Sequence, residues 1–508
     1  MLRTLKSLNG RATARMVVRN ELAHATTAWS VTEASATYAW YINFGSGNLN
    51  NNNNKNNTNS VRAVCALEET EIDGWIDAFY NCIQRKRTAP QCDTYRAQYE
   101  EDLLRLAIEV KSRTYKPSAS TCFVVTRPRL REIFAAAFRD RIAQHWVIMR
   151  INPLIEERFV AQGNVSYNCR KGFGTLRAVK RLQAEIEMVS DYYTCDAYIG
   201  KFDIKSFFMS ISKSRLLSLL IPFIRDRYSG DDIDTLVYLT ETIVSHCPQK
   251  LCVRKSPPTL WEQLPRHKSL FYSDDDTGLP IGNITSQILA NFYLSFFDEY
   301  IVGECDRAGA RYVRFVDDWA VVCRDKRFII DLHKKASQWL SKHLALELHH
   351  DKFYLQHVTK GVKFVGQVIK PGRCYLSNRT ISGFYDSVAK VESLCRGIIE
   401  SGATMHRIKL LDRYVSSINS YLGFFCHTSS YAIRRKVLAR QTYFWRCCYM
   451  QGGFLVAKIK HQYKLLNHLK KGDENERHGM ELWRKASKRH SLSRTRKGRV
   501  RDTCRARR

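Results

Sequence analysis

The chain has 508 residues, of which 44% are hydrophobic, so it is long enough for about two to four domains with a sizeable core. Its charge is far from balanced, because 81 Lys and Arg against 49 Asp and Glu leave a net charge of +32. Such an excess predicts a polyphosphate partner, most simply nucleic acid; the competing interpretation is an anionic membrane surface.

Several protein classes do not fit this sequence. There is no apolar run of 18 or more residues, no secretory signal region and no stop-transfer pattern, so we expect no membrane partner. The 16 cysteines are too few for a disulfide scaffold of this length, and none form a C-x-x-C pair that would indicate a zinc ribbon or a redox motif. We therefore expect reduced, mostly buried thiols in a cytoplasmic protein.

The first 66 residues differ from the rest of the chain. Residues 48–60 are NLNNNNNKNNTNS, a polar tract that cannot bury enough apolar surface to offset its ordering entropy. The composition predicts a low-complexity loop or a disordered segment. A second interpretation rests on the genetic code, since Asn and Lys codons are rich in adenine and the tract must be written in adenine-rich RNA.

From residue 67 to 196 the sequence is globular, with apolar residues at helical spacing and β-branched runs. We predict, in order, helices over 67–89 and 95–112, a strand over 121–126, a helix over 131–150, a basic glycine-punctuated loop over 163–175, a helix over 176–192 and a strand over 197–204.

The remaining sequence alternates in the same way before it becomes helical. We predict, in order, helices over 215–225 and 232–246, a polar insertion over 250–276, a glycine turn over 278–287, a helix over 288–302, a hairpin within 311–323, a helix over 327–343, short strands over 346–355 and 362–369, and helices from 380 to 457. The run Asp274-Asp275-Asp276 is interpreted as a solvated loop rather than a metal site. Residues 484–508 hold many basic side chains without periodicity, which indicates a disordered basic tail.

Residues 311–323, RYVRFVDDWAVVC, carry the first candidate site. Two short runs rich in Val, Tyr, Phe and Trp predict a hairpin, and Asp317 and Asp318 fall where it turns. Two carboxylates held so close repel unless a cation neutralises them, and carboxylate oxygens suit Mg²⁺. An isolated pair is more often a solvated turn, but a third carboxylate, Asp203, ends the predicted strand in YIGKFDIKSFF. Nucleotidyl transfer uses two metal ions roughly 4 Å apart, which carboxylates from separate strands can hold.

The ordered blocks DIKSFF, GLPIGNITSQ, RYVRFVDD, LELHHDKFYL and GVKFVG resemble the palm of a reverse transcriptase. The upstream blocks RPRLREIFAAAFRDRIAQHW and SYNCRKGFGT resemble its fingers. Across residues 67–450 the set resembles the reverse transcriptases of diversity-generating retroelements, within the group II intron-like and retron-like superfamily. The resemblance implies an α+β right-hand polymerase fold, with fingers over 67–196, a palm with an antiparallel sheet over 197–379, a helical thumb over 380–470, and flanking segments 1–66 and 471–508.

The resemblance also implies roles for single residues. Asp203, Asp317 and Asp318 would be catalytic, and with Ile204 they form the predicted set for two Mg²⁺ ions, with Mn²⁺ as a possible substitute. Phe208 would be the steric gate that excludes a ribose 2′-hydroxyl; the alternative is a core aromatic residue.

Basic residues would hold the nucleotide. Arg170 and Lys171 would clamp the incoming triphosphate. Lys352 would approach the triphosphate from the other side; the alternative is a solvated lysine.

The second glycine turn completes the predicted nucleotide-binding residues with Ile281, Gly282 and Gln287. Many reverse transcriptases have Gln-Gly at the first two positions, whereas the diversity-generating group has an aliphatic residue before the glycine, as here. Ile281 forfeits a polar contact to the nucleotide, so we expect a raised error rate rather than lost activity. Phe315 stands where a Tyr is usual, which removes a hydroxyl and keeps the ring.

The family copies an adenine-rich template RNA into cDNA with errors at template adenines, and the cDNA replaces part of a target gene. Implied partners are template RNA, the RNA/cDNA duplex, dNTPs and a small basic oligomeric accessory protein. Residues 39–67 resemble the translated end of a diversified target, so the reading frame is hypothesised to run through the template repeat. The alternatives are another retroelement or defence-associated reverse transcriptase, or a non-catalytic RNA-binding scaffold of the same fold.

Overall fold

The computed structural model describes residues 16–18, 27–33, 38–43, 49–54, 65–67, 69–84, 95, 99–126 and 129–464. Its described residues fall into two compact units. The first comprises the residues up to Gly172 together with Lys201–Trp319 and Ile330–Phe353, and the second comprises Phe173–Gly200, Ala320–Ile329 and the residues from Tyr354 onward.

Helices and sheets both contribute, which confirms the α+β class. The strands are β1 (Met16–Val18), β2 (Thr27–Glu33), β3 (Tyr38–Asn43), β4 (Leu49–Asn54), β5 (Cys65–Leu67), β6 (Ser120–Val125), β7 (Arg131–Ala135), β8 (Tyr198–Asp203), β9 (Cys252–Arg254), β10 (Arg311–Phe315), β11 (Asp318–Cys323), β12 (Tyr354–His357), β13 (Val362–Phe364), β14 (Gln367–Lys370), β15 (Arg373–Leu376), β16 (Cys448–Gln451) and β17 (Val456–Ile459). They form sheets with the strand orders β1-β5, β2-β3-β4, β7-β6-β9, β10-β11-β8-β12, β13-β14-β15 and β16-β17.

The helices are α1 (Glu69–Ile83), α2 (Tyr99–Lys111), α3 (Phe138–Ala161), α4 (Thr175–Val189), α5 (Phe207–Ser210), α6 (Lys213–Arg227), α7 (Ile233–Ser245), α8 (Pro258–Glu262), α9 (Ile284–Arg307), α10 (Lys326–Leu344), α11 (Asn378–Ser401), α12 (Met405–Phe425), α13 (Tyr431–Ala439), α14 (Phe444–Cys447) and α15 (His461–Lys464). Short 3₁₀ turns lie at Pro248–Lys250, Arg266–Lys268, Leu270–Tyr272, His350–Lys352 and Val358–Lys360. None of the helices in the described part of the chain is long and apolar enough to cross a membrane.

The predicted helix over 131–150 is wrong at its start. Arg131–Ala135 is strand β7, which pairs antiparallel with β6, and the helix begins only at Phe138. The run of alanines after Phe134 has high helix propensity, but pairing along β6 overrides it. Glu132 and Phe134 are buried while Arg131 is exposed, as alternation along a strand requires.

Residues 380–457 are predicted to be all helical, and this prediction is wrong at the end of the range, where strands β16 and β17 lie. The core of the second unit is built on α11 to α14, where Phe384, Val391, Ile418 and Phe425 are fully buried. Strands β16 and β17 pair as an antiparallel hairpin that follows these helices. The Asn419 side chain fixes the hairpin to α12, because its amide donates to the Ala457 carbonyl at 2.9 Å and its oxygen accepts from the Ala457 amide at 2.7 Å. One side chain thus takes the place of a neighbouring strand.

The Asn-rich tract also differs from its prediction where it is described. Leu49–Asn54 lies in strand β4, paired antiparallel with β3, rather than in a loop. A strand at a sheet edge is held by backbone hydrogen bonds, which polar residues make as well as apolar ones, so composition alone does not exclude it. The remainder of the tract and the basic tail over 484–508 lie outside the described residues.

A buried ion pair lies at the centre of the first unit. Arg314 on β10 and Asp298 on α9 are both fully buried, with Arg314 Nε and Nη2 donating to the two Asp298 oxygens at 2.6 and 2.5 Å. Tyr312 donates its hydroxyl to the same carboxylate at 2.7 Å, and Arg314 Nη1 donates to Asn291 Oδ1 at 2.8 Å. Because both members of the pair and the side chains of Tyr312 and Asn291 are joined by hydrogen bonds, the pair can remain charged inside the core.

The same residues hold the loop before α4. The Asn291 amide donates to the Asn168 carbonyl at 3.0 Å, and Ser166 Oγ donates to Asn291 Oδ1 at 2.8 Å. The Arg314 amide donates to the Val165 carbonyl at 2.9 Å. The ion pair therefore joins β10, α9 and this loop.

Replacing Arg314 by Met should lower the free energy of unfolding by about 3–5 kcal/mol, because it leaves the Asp298 carboxylate buried without its partner. Arg311→Met, at the partly exposed first residue of the same strand, is the matched control and should cost less than about 1 kcal/mol. Denaturant unfolding measures both variants. An equal loss of unfolding free energy in Arg314→Met and Arg311→Met would show that the buried pair is unimportant. A higher free energy of unfolding in Arg314→Met/Asp298→Leu than in Arg314→Met would support its role.

Candidate active site

The predicted hairpin carrying the two adjacent carboxylates is confirmed. β10 ends at Phe315, β11 begins at Asp318, and Val316 and Asp317 form the turn between them. Val316 has a positive φ of 59°, which costs a β-branched residue about 1–3 kcal/mol. Its carbonyl accepts a hydrogen bond from Arg314 Nη1 at 3.1 Å, so the buried ion pair also holds the strained turn.

Asp203 is the last residue of β8, which lies beside β11 in the sheet. The ring of Phe202 stacks on that of Trp319 with centroids 3.8 Å apart and planes 8° from parallel, and both rings are buried. This stacking brings the ends of the two strands together at the residues that flank it. The structure therefore brings Asp203, Asp317 and Asp318 together, as the sequence predicts.

Electrostatics at the three carboxylates follow from this placement. Burial, and then the nearby charge of Asp203, raises the pKa of Asp317. Burial raises the pKa of Asp318 to about 6, against the opposing charge of Lys201. Crowding of like charges in a partly desolvated pocket is the arrangement that favours a bound cation.

Two lysines neutralise the carboxylates in the structure. Lys201 Nζ lies 3.0 Å from Asp318 Oδ2, and Lys352 Nζ forms an ion pair with Asp203 Oδ2. Lys352 therefore lies beside the carboxylates, and its contact with a triphosphate stays a prediction. Within the described ranges, no three His, Cys, Asp or Glu side chains are grouped so that they could hold a metal ion as they stand.

The donor set nevertheless fits a divalent cation. Asp318 Oδ1 is buried and has no hydrogen-bond partner among the described residues, an arrangement that is costly unless something else satisfies the oxygen. Carboxylate oxygens are the ligands that Mg²⁺ prefers. Ile204 has a fully buried side chain without a ligating atom, so only its backbone carbonyl could contribute.

The predicted gate and fidelity residues lie on one surface. Phe208 and Ile281 are half-buried, and both pack against an apolar cluster formed by Cys122, Phe134, Met209 and Leu270. The Ile281 carbonyl accepts a hydrogen bond from the Phe134 amide at 2.8 Å. Neither side chain is fully buried, so each has an exposed part that a ligand can contact.

Gly282 is required at its position. Its φ is 125°, and a Cβ there would lie 2.7 Å from the Phe134 carbonyl oxygen. Any larger residue would push the turn away from β7. Gln287 is exposed one turn into α9, and Cys169 Sγ contacts its side-chain oxygen at 3.7 Å.

Arg170 is not placed as predicted for a triphosphate clamp. Its side chain is 1% exposed, and its Nε donates to Glu156 at 2.9 Å while Nη1 and Nη2 donate to the Ser166 carbonyl and Asn164. These bonds make Arg170 a residue that holds the loop together. Lys171, the next residue, is exposed and remains available for a phosphate.

Two basic residues near the carboxylates were missed from the sequence. Lys201 precedes Asp203 by two positions on β8, so it shares the same face of the strand; this spacing could have revealed it. Arg131 is exposed at the start of β7, and its positive charge lowers the pKa of Asp317. It was hidden because residues 131–150 were predicted to be one helix.

Comparison with known proteins agrees with this geometry. Residues 126–369 match the family model described as reverse transcriptase (RNA-dependent DNA polymerase). The protein YkfC of Escherichia coli (strain K12) is 21% identical in an alignment of 319 positions, which covers 56% of this chain and 76% of that protein.

The likeness to solved structures is weaker. Apo telomerase from Candida tropicalis gives a TM-score of 0.38 at 11% identity, covering 74% of this chain and 65% of the telomerase. A form truncated from its C-terminal domain gives 0.35 at 13% identity, covering 62% and 61%.

The family match encloses all three carboxylates, the Phe208 and Ile281 surface, and both neutralising lysines. It agrees with the separate observation that the three carboxylates lie at the ends of the neighbouring strands β8 and β11. Residues 126–369 therefore form a reverse transcriptase domain, the kind of domain that acts as an RNA-directed DNA polymerase.

Proposed function

We propose that this polymerase copies an adenine-rich template RNA into cDNA with errors at template adenines, and that the cDNA diversifies a variable gene. The observation that carries the proposal is Ile281. An aliphatic side chain occupies the glycine turn where many reverse transcriptases have Gln, and it packs on the same cluster as Phe208.

Asp203, Asp317 and Asp318, with the backbone carbonyl of Ile204, are the residues that would hold two Mg²⁺ ions, or Mn²⁺ in their place. Bound there, the ions would lower the pKa of the attacking 3′-hydroxyl and neutralise the leaving pyrophosphate. The orphaned Asp318 Oδ1 supports this assignment.

Positive side chains would receive the triphosphate around these carboxylates. Lys171 and Arg131 are exposed, and Lys352 is half-exposed on Asp203. An exposed lysine or arginine can meet a phosphate without first leaving a buried partner, which favours these three over Arg170.

Phe208 would exclude ribonucleotides by the bulk of its ring. Ile281 would contact the nucleotide only through apolar atoms and so check its pairing less strictly than a hydrogen-bonding Gln. Errors would therefore rise while the chemistry continues.

The remaining assignments extend the proposal to the rest of the chain. Fingers over 67–196, a palm over 197–379 and a thumb over 380–470 would hold template RNA and the RNA/cDNA duplex. The net charge of +32 suits both these nucleic acids. A small basic oligomeric accessory protein and the translation of a template repeat in residues 1–66 belong to the same proposal.

Asp317→Asn should lower dNTP incorporation on a primed RNA template by roughly a thousandfold or more. The reason is that the Asp317 charge would hold a metal ion that stabilises the transition state by about several kcal/mol. Affinity for the template RNA should change by less than about twofold. Asp306→Asn, at an exposed acid in the last turn of α9, is the control and should retain full activity. Incorporation by Asp317→Asn at the unsubstituted rate would refute the assignment of this carboxylate.

Ile281→Gln should lower misincorporation opposite template adenine by roughly threefold to tenfold, because it restores a polar contact to the nucleotide. Sequencing of the cDNA made from a defined RNA measures the errors at each template base. Ile330→Gln, at a partly exposed position on α10, is the matched control and should leave the error spectrum unchanged. If both variants keep the same adenine errors, Ile281 does not set fidelity.

A further inference from the structure

The polar insertion over 250–276 is folded against the first unit rather than extended into solvent. Its strand β9 pairs in parallel with β6, and Lys250 Nζ lies 2.5 Å from Asp275 Oδ2 across the base of the insertion. Asp276 accepts hydrogen bonds from the Ser214 amide at 2.9 Å and the Ser212 hydroxyl at 2.8 Å, at the start of α6. Asp274, Asp275 and Asp276 are exposed, as predicted, but these contacts anchor the insertion to the rest of the first unit.

Glu132 provides the anchor inside the insertion. Its side chain projects from β7 into the interior and is fully buried. It accepts a hydrogen bond from Ser269 Oγ at 2.7 Å and another from the Leu270 backbone amide. A buried carboxylate with two donors from consecutive residues fixes the position of those residues closely, since losing either bond leaves a buried polar group unsatisfied.

Leu270 is the residue that this anchor positions. Its side chain is 1% exposed and belongs to the cluster with Cys122, Phe134 and Met209. Phe208 packs against this cluster and is only partly buried.

The Leu270 side chain also contacts the glycine turn that begins at Gly278. A Cβ on Gly278 would collide with the Leu270 side chain, so the glycine turn rests directly on it. The Leu279 amide donates to the Phe208 carbonyl at 2.8 Å, which ties that turn to the gate residue.

We propose that Leu270, held by Glu132, is a positioning residue that sets the ring of Phe208 and thereby the exclusion of ribonucleotides. An aromatic gate excludes a 2′-hydroxyl only if it cannot retreat, and a close-packed cluster behind it prevents retreat. Removing Leu270 would leave space into which the cluster and the ring can relax. This inference rests on the proposed role of Phe208 as the gate.

Leu270→Ala should lower the ratio of kcat/KM for a dNTP to kcat/KM for the rNTP of the same base by roughly tenfold, in single-nucleotide incorporation on a primed RNA template. The kcat/KM for the dNTP should stay within about threefold, since the carboxylates are untouched. Leu251→Ala is the matched control, because Leu251 is a leucine of the same insertion with a half-exposed side chain. It should leave the ratio unchanged.

Phe208→Ala separates the inference from the function on which it rests. If Phe208→Ala leaves the ratio unchanged, the gate assignment is wrong and the inference falls with it. If Phe208→Ala lowers the ratio but Leu270→Ala does not, the gate stands and the role of Leu270 is refuted.

Leu270→Val is measured alongside, because it removes a single methylene group and keeps most of the cluster. Circular dichroism and thermal unfolding establish that each variant is folded. A smaller fall in the ratio for Leu270→Val than for Leu270→Ala supports the proposal. An unchanged ratio in every folded Leu270 variant overturns it.

Discussion

The pair of Arg314 and Asp298 is the interaction on which the candidate active site depends. A fully buried guanidinium and carboxylate are stable only when all their hydrogen bonds are satisfied, and here Tyr312, Asn291 and the Val316 carbonyl complete the set. The partners lie on α9, on β10 and in the turn of the hairpin. The ion pair thus fixes the strained residue directly before Asp317, and the position of that carboxylate follows from it.

A second set of contacts organises the side of the site that would face the nucleotide. Phe208 and Ile281 come from different parts of the chain and pack on one small apolar cluster, which the insertion completes with Leu270. The selection of the sugar by Phe208 and the selection of the base by Ile281 would then depend on packing against the same cluster. Because the carboxylates do not belong to this cluster, a change of fidelity at Phe208 or Ile281 would leave the polymerase chemistry in place.

The structure also separates two kinds of basic residue that look alike in a sequence. Arg170 and Lys171 are neighbours in a glycine-flanked loop, but Arg170 is enclosed by Glu156, Asn164 and the Ser166 carbonyl, whereas Lys171 is exposed. A planar guanidinium can satisfy several acceptors at once and is therefore the better residue for holding a loop. An ammonium on a flexible stem is the better residue for meeting a mobile phosphate.

The sequence by itself predicted the hairpin with Asp317 and Asp318 and the third carboxylate Asp203, because each is a local pattern of strand and turn residues. The polymerase class followed from the resemblance of the ordered sequence blocks to reverse transcriptases. It did not predict strand β7, the β16–β17 hairpin or the folded insertion, since pairing with distant strands overrides local propensity. Only the tertiary structure decided that Arg170 is enclosed, that Arg131 approaches Asp317, and that Leu270 belongs to the cluster against which Phe208 packs. The contacts of Arg131 and Leu270 join residues far apart in the chain, and the enclosure of Arg170 depends on how its loop folds onto Glu156, so no local pattern encodes them.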